Sequence, residues 1–246
     1  MTLCRHPVLC SVLLGMSLLL SACTSLPLTR NDAELKQAYL AAVKDAEQTE
    51  PHEISTKLTA ITPSNPRLVW KGQDTRNPQV RVATWTNYNG YDDKIHQTMR
   101  LSREVWVTAV PEFKDFCTRI RGDKTLRLEQ LLGLPPASGK TKVVEMWVNP
   151  ADLFRPSPDP EISDHEAGVD FPQSSRLAIS DSHKAWINQL KSGSYGEKGY
   201  PWTRLGYTYD WGQQSGHVGL SEFVITKGAA VEIAEVAPTA QYCQPH

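Results

Sequence analysis

The densest run of chemically capable side chains is Asp159-Pro-Glu161-Ile-Ser-Asp164-His165-Glu166, followed by Asp170. Carboxylates and an imidazole gathered on irregular backbone suit a divalent cation, since hard cations take several oxygen ligands. Asp159, Glu161, Asp164 and His165 are the candidate ligands, and a divalent cation is the one cofactor the sequence suggests. The run lacks the glycine that an EF-hand needs at its bend. The plainer reading is a solvated loop stiffened by its prolines and pinned at its ends by Phe154 and Phe171.

A second group is aromatic. In an extended strand Leu205, Tyr207, Tyr209 and Trp211 share one face, with Arg204, Gly206, Thr208 and Asp210 on the other. If exposed, the rings of Tyr207, Tyr209 and Trp211 could stack on sugars, which would make peptidoglycan a partner. An ordinary sheet buries such a row, because aromatic residues dominate core area. Arg204 and Asp210 would then be polar surface or the lining of a cleft. A third feature is Glu222, which opens the apolar run Phe223–Ile225 ahead of Lys227-Gly228 and a second apolar run. His96, His165, His183 and His217 are conceivable bases, but no Gly-x-Ser-x-Gly elbow is present, so no catalytic triad is assigned.

The elements that must position these groups can be read from periodicity and punctuation. Asn31 followed by Glu34 is a helix start of the capping-box kind, and the run to about Glu47 places Leu35, Tyr39, Ala42 and Val43 on one face. Val80–Thr86, Arg103–Val110 and Lys142–Val148 are rich in β-branched and aromatic residues and read as strands, with a weaker one at Arg67–Trp70. Pro111 suits the first turn of a helix to about Ile120. Another helix spans Thr125–Leu132, ended by Gly133 and Pro135-Pro136. Prolines at 150, 156, 158, 160 and 172 leave residues 149–172 irregular. Asp181 caps a helix through about Lys191, closed by Gly193. Trp202–Trp211, Gly219–Thr226 and Ala229–Val236 read as closing strands, the last two joined by a tight turn at Lys227-Gly228. The expected architecture is a single α+β domain, residues 31–246, with a mostly antiparallel sheet and several short helices. No strand–helix alternation of the doubly wound kind is visible.

The N-terminus carries an address. Arg5 precedes an apolar run from Val8 to Leu20, about thirteen residues, too short to span a bilayer. Leu20-Ser21-Ala22-Cys23 follows and resembles the lipobox of bacterial lipoproteins. The resemblance implies a signal peptide over 1–22, diacylglycerol on Cys23, a short tether over 23–30, and palmitate-type acylation as the membrane anchor. Each buried acyl CH₂ contributes roughly 0.8 kcal/mol, so two or three chains hold permanently. By the sorting rule of that class, Thr24 rather than aspartate implies the outer membrane, with the domain facing the periplasm. Cys4 and Cys10 would leave with the signal peptide, and Cys23 would be lipidated. Cys117 and Cys243 remain, and an oxidising compartment favours a disulfide between them over two buried free thiols. A net charge of −1 with no basic patch argues against nucleic acid.

Ser221-Glu222-Phe-Val-Ile-Thr-Lys-Gly228-Ala-Ala-Val-Glu-Ile233 is similar to the end of ADP-ribosyltransferase domains, where a catalytic glutamate opens such a strand and holds the ribose of NAD. The resemblance implies that role for Glu222. The chain departs from the pattern with Leu220, where the family has Glu or Gln, and the basic partner for NAD is not evident, Arg204 being the nearest candidate. The expectation is an envelope lipoprotein that binds or supports a ligand or another envelope protein. The alternative is an enzyme, either a transferase using Glu222 or a metal-assisted hydrolase using the acidic loop.

Overall fold

A computed structural model describes residues 31–72, 76–173 and 178–245; Cys23 and the signal-peptide expectation lie outside the described residues. Asn31–His246 forms one compact unit. Helix α1 (Asp32–Ala46) starts at the capping box, where Asn31 and Glu34 exchange side-chain and main-chain hydrogen bonds, and it buries Leu35, Tyr39, Ala42, Val43 and Ala46. A 3-10 turn at Pro51–Glu53 follows. Strands β1 (Val80–Thr86), β2 (Thr98–Arg100) and β3 (Val105–Ala109) lead into α2 (Val110–Arg119) and α3 (Lys124–Leu131). Then come β4 (Lys142–Val148), β5 (Leu153–Phe154), α4 (Asp181–Ser194), β6 (Tyr207–Tyr209), β7 (Val218–Ser221), β8 (Phe223–Ile225), β9 (Ala230–Pro238) and α5 (Thr239–Tyr242). The fold is α+β, and its main sheet is antiparallel in the order β2-β9-β4-β1-β3-β8-β5; β6 and β7 form a separate pair.

The strand period of two distributes the core to both sheet faces. Val80, Val82, Val144, Met146, Val107, Phe223, Ile225 and Ile233 pack on one face. Ala83, Trp85 and Val143 pack on the other against Phe113, Leu128, Leu131 and Tyr242 from the helices. Cys117 and Cys243 stand with their sulfurs at bonding distance and Cα atoms 4.9 Å apart, tying α2 to the end of α5.

Several elements differ from the sequence reading. Arg67–Trp70 is no strand and contributes only the bridge Trp70↔Val80. Ser180, not Asp181, caps α4, its hydroxyl accepting from the His183 amide, and Gly193 lies inside that helix. The expected strand Trp202–Trp211 shrinks to Tyr207–Tyr209, because Arg204 (φ 59°) and Gly206 (φ 71°) turn the chain through the left-handed region. Gly219–Thr226 is two strands broken at Glu222.

Candidate functional site

The main sheet is parted in its middle. β1 and β3 pair only at Val82↔Ala109 and Ala83↔Thr108. Beyond that point β1 keeps pairing with β4 as far as Thr86↔Lys142, while β3 keeps pairing with β8 as far as Val105↔Ile225. Residues 83–91 and 101–108 from the two diverging segments line a cavity of about 970 Å³, closed further by α4 and the 200–202 and 132–134 segments. That volume lies within the usual range for small-molecule sites.

Its walls are aromatic. Trp106 stands edge-on to Trp202 at 6.5 Å between centroids and stacks on Trp186 at 6.2 Å. Three indole N–H groups are tied back to the protein: Trp202 donates to the Pro156 carbonyl at 2.9 Å, Trp186 to Glu104 at 2.9 Å and Trp85 to Thr239 at 2.8 Å. These bonds hold the Trp85 and Trp202 indoles in place among the residues that line the cavity. Tyr88 and Tyr200, each about half exposed, stand where the cavity meets solvent. Arg103 and Lys140 line it as well, with no ion-pair partner among the described residues.

Glu222 is the acidic group that enters this space without a partner. It occupies the break between β7 and β8, with its amide donating to the Gly206 carbonyl at 2.9 Å. That turn aims the side chain into the cavity, and its carboxyl has no hydrogen bond or ion pair among the described residues. What exposure it keeps is to the cavity, so burial with no compensating charge raises its pKa to about 8. At neutral pH it is largely a neutral acid, able to donate one hydrogen bond and accept another.

The other candidates are placed as follows. Arg204 does not line the cavity; it is buried, donates to the Glu47 carbonyl at 3.1 Å and to Thr49 Oγ1 at 2.5 Å, and lies over the Tyr195 ring. Asp210 is neither surface nor cleft lining: it is buried in a two-point pair with Arg127 at 2.8 and 2.5 Å. Tyr207 and Trp211 are core residues, leaving neither ring free to stack on a sugar, while Tyr209 reaches the cavity. Of the acidic loop, Asp159, Glu161 and Asp164 surround Arg155. That guanidinium is fully buried and donates to the carbonyls of Glu161 and Asp164 at 2.6 Å each and of Thr59 at 3.3 Å. Glu161 turns its carboxylate to Ser163, and His165 hydrogen-bonds the Leu58 carbonyl at 2.7 Å. The loop is thus organised around an internal cation supplied by the chain itself. Burial raises the pKa of Asp159 and of Asp164, while hydrogen bonds from Ser163 hold Glu161 below the usual range against the upward pull of its own burial.

Sequence reasoning picked out Glu222 but not the cavity. The tryptophans that line it, Trp85, Trp106 and Trp202, come from three separated segments, with Trp186 packed behind Trp106, and no local pattern in the sequence brings them together. No family model, curated protein or solved structure matches the chain.

Proposed function

We propose that the chain is a lipid-anchored envelope protein, held at the outer membrane through Cys23 and facing the periplasm. Its folded domain binds a small molecule with an aromatic or apolar body in the cavity between β1 and β3. The observation that carries the binding role is an unpartnered carboxyl inside an aromatic-walled cavity. A buried polar group without a partner costs roughly 1–3 kcal/mol, a cost that a ligand's hydrogen bond relieves. Fixed rings and one polar group together make an orienting site. The test uses the neutral fluorescent probe N-phenyl-1-naphthylamine with purified full-length protein in detergent. The expected result is saturable binding that quenches tryptophan fluorescence and weakens about tenfold in Trp106→Ala, a loss of about 1.4 kcal/mol. No saturable binding, or binding indifferent to Trp106, would remove the cavity as the site. The anchor is tested separately: labelled palmitate should mark the wild type and not Cys23→Ala, and Thr24→Asp should shift the protein to the inner membrane.

A second reading is favoured by the place of Glu222 at the start of β8 within the same cavity. A carboxyl with a pKa of about 8 is suited to proton transfer near neutral pH. In this reading the domain acts on NAD, as the resemblance to ADP-ribosyltransferases implies, with Arg103 or Lys140 in the basic role that Arg204 is not placed to fill. NAD hydrolysis by the wild type, abolished in Glu222→Gln, would establish it; no NAD turnover by the wild type leaves the binding role alone.

A further inference from the structure

Away from the cavity, three potential metal ligands from distant parts of the chain meet beside β6. Asp45 comes from the last turn of α1, Glu53 from the end of the 3-10 turn, and His217 from the residue before β7. One ligand atom of each lies within 4.8 Å of the others. Glu53 Oε1 is 3.3 Å from His217 Nε2, and Asp45 Oδ2 is 3.9 Å from His217 Nδ1. The imidazole is pinned by rings, stacked on Tyr209 at 4.5 Å with planes 10° apart and against Tyr207 at 5.9 Å. The Tyr209 hydroxyl donates to Asp45 Oδ2 at 2.7 Å, and the Tyr207 hydroxyl donates to the Glu53 carbonyl at 2.9 Å.

We propose that Asp45, Glu53 and His217 form a binding site for a divalent cation of zinc's class. Ligands about 2.0–2.2 Å from a tetrahedral zinc lie roughly 3.3–3.5 Å from one another. The Glu53–His217 edge, taken at Nε2, already has that length; Nε2 also lies 3.1 Å from the Tyr207 hydroxyl, a hydrogen bond it gives up on ligating a metal. The exposed Asp45 carboxylate is 3.9 Å from the other ring nitrogen, Nδ1, and within 4.8 Å of the ligand atoms of both partners, so it has to move inward to close the two remaining edges. Two carboxylates neutralise the dication, and one imidazole favours zinc or a similar transition metal over calcium or magnesium, which take mainly oxygen. Tyr209 supplies the outer hydrogen bond that orients a ligating carboxylate. A pinned ring is what separates this cluster from the acidic loop, where Arg155 already occupies the centre. Tyr209 also lines the cavity, so an ion here would stiffen one of its walls.

The test is calorimetry on chelator-treated, full-length protein in detergent, titrated with zinc chloride, and in parallel with calcium and magnesium chloride. One saturable zinc site of micromolar or tighter affinity is expected, weakened by about tenfold or more in Glu53→Gln and in His217→Gln. Asp45→Asn keeps an acceptor for Tyr209 on an exposed side chain and is the mildest of the three changes; circular dichroism checks that all three fold. Loss of zinc binding in the folded Asp45→Asn variant supports the site. The proposal is overturned by a wild type with no saturable zinc binding, by variants that bind zinc like the wild type, or by calcium binding more tightly than zinc.

Discussion

Two ionisable groups, one packed on the Phe223 ring and one next to Phe223 in sequence, are treated oppositely. Arg155 is fully buried, surrounded by main-chain carbonyls of its own loop, and faces the Phe223 ring at 5.5 Å. Glu222, the neighbour of Phe223 in sequence, is aimed to the other side and has nothing to pair with. The first group is a rivet, since its hydrogen bonds organise residues 155–164 that have almost no regular structure. The second is an ionisable group left without a partner at the wall of a cavity, and such sites are where a fold gives up stability for a ligand.

If that contrast holds, the largest effect in the molecule comes from cutting the rivet. Arg155→Met leaves the carbonyls of Glu161, Asp164 and Thr59 without donors, and a loss of about 4 kcal/mol is expected, or roughly 10 °C in Tm by calorimetry. A variant as stable as the wild type would mean the loop is held by its prolines alone.

The helices behind the cavity come next. Phe113 of α2 lines the cavity, and Cys117–Cys243 ties α2 to α5. Replacing both cysteines by serine should cost about 3 kcal/mol in denaturant unfolding and also weaken the cavity probe. Lost stability with unchanged probe binding would show that the helical face and the open face are independent.

Glu222→Gln sharpens the comparison, because its sign depends on pH. The unfolded carboxyl titrates near 4.5 and the folded one near 8. Between those values the folded chain holds a proton that the unfolded chain has lost, so stability falls as pH rises from about 4.5 to about 8 and levels off above. The glutamine variant lacks this slope and should gain on the order of 2 kcal/mol over the wild type at pH 8, while matching it at pH 4.5. Parallel pH profiles for the two proteins would show that Glu222 has a partner after all.

The same contrast explains what could be read from the sequence. β1 and β4 have the bounds that β-branched alternation gives them, and α1 begins where Asn31 and Glu34 announce it. These are local signals. Asp210 looked like strand surface because its partner, Arg127, lies 83 residues away. The cavity was invisible for a related reason: it exists because β1 and β3 part after two pairs, and that depends on where β4 and β8 pull them. Glu222 was noticed as a residue opening a strand, but its isolation is a property of everything around it.

The smallest effect tests how Arg155 is neutralised. Its firm contact with Asp164 is the carbonyl at 2.6 Å; the carboxylate is 3.5 Å away and nearly half exposed. Burial pulls the Arg155 pKa down and the Asp164 pKa up, the directions of two groups whose desolvation outweighs their attraction. A carboxylate so placed resembles a surface pair, for which 0 to about 1 kcal/mol is usual. Asp164→Asn should therefore lower stability by about 0.5 kcal/mol by urea titration, an order of magnitude below Arg155→Met. A loss of about 3 kcal/mol or more would move the charge balance of the loop from carbonyl dipoles to carboxylates, and would leave the loop's acids with a structural role in place of a spare one.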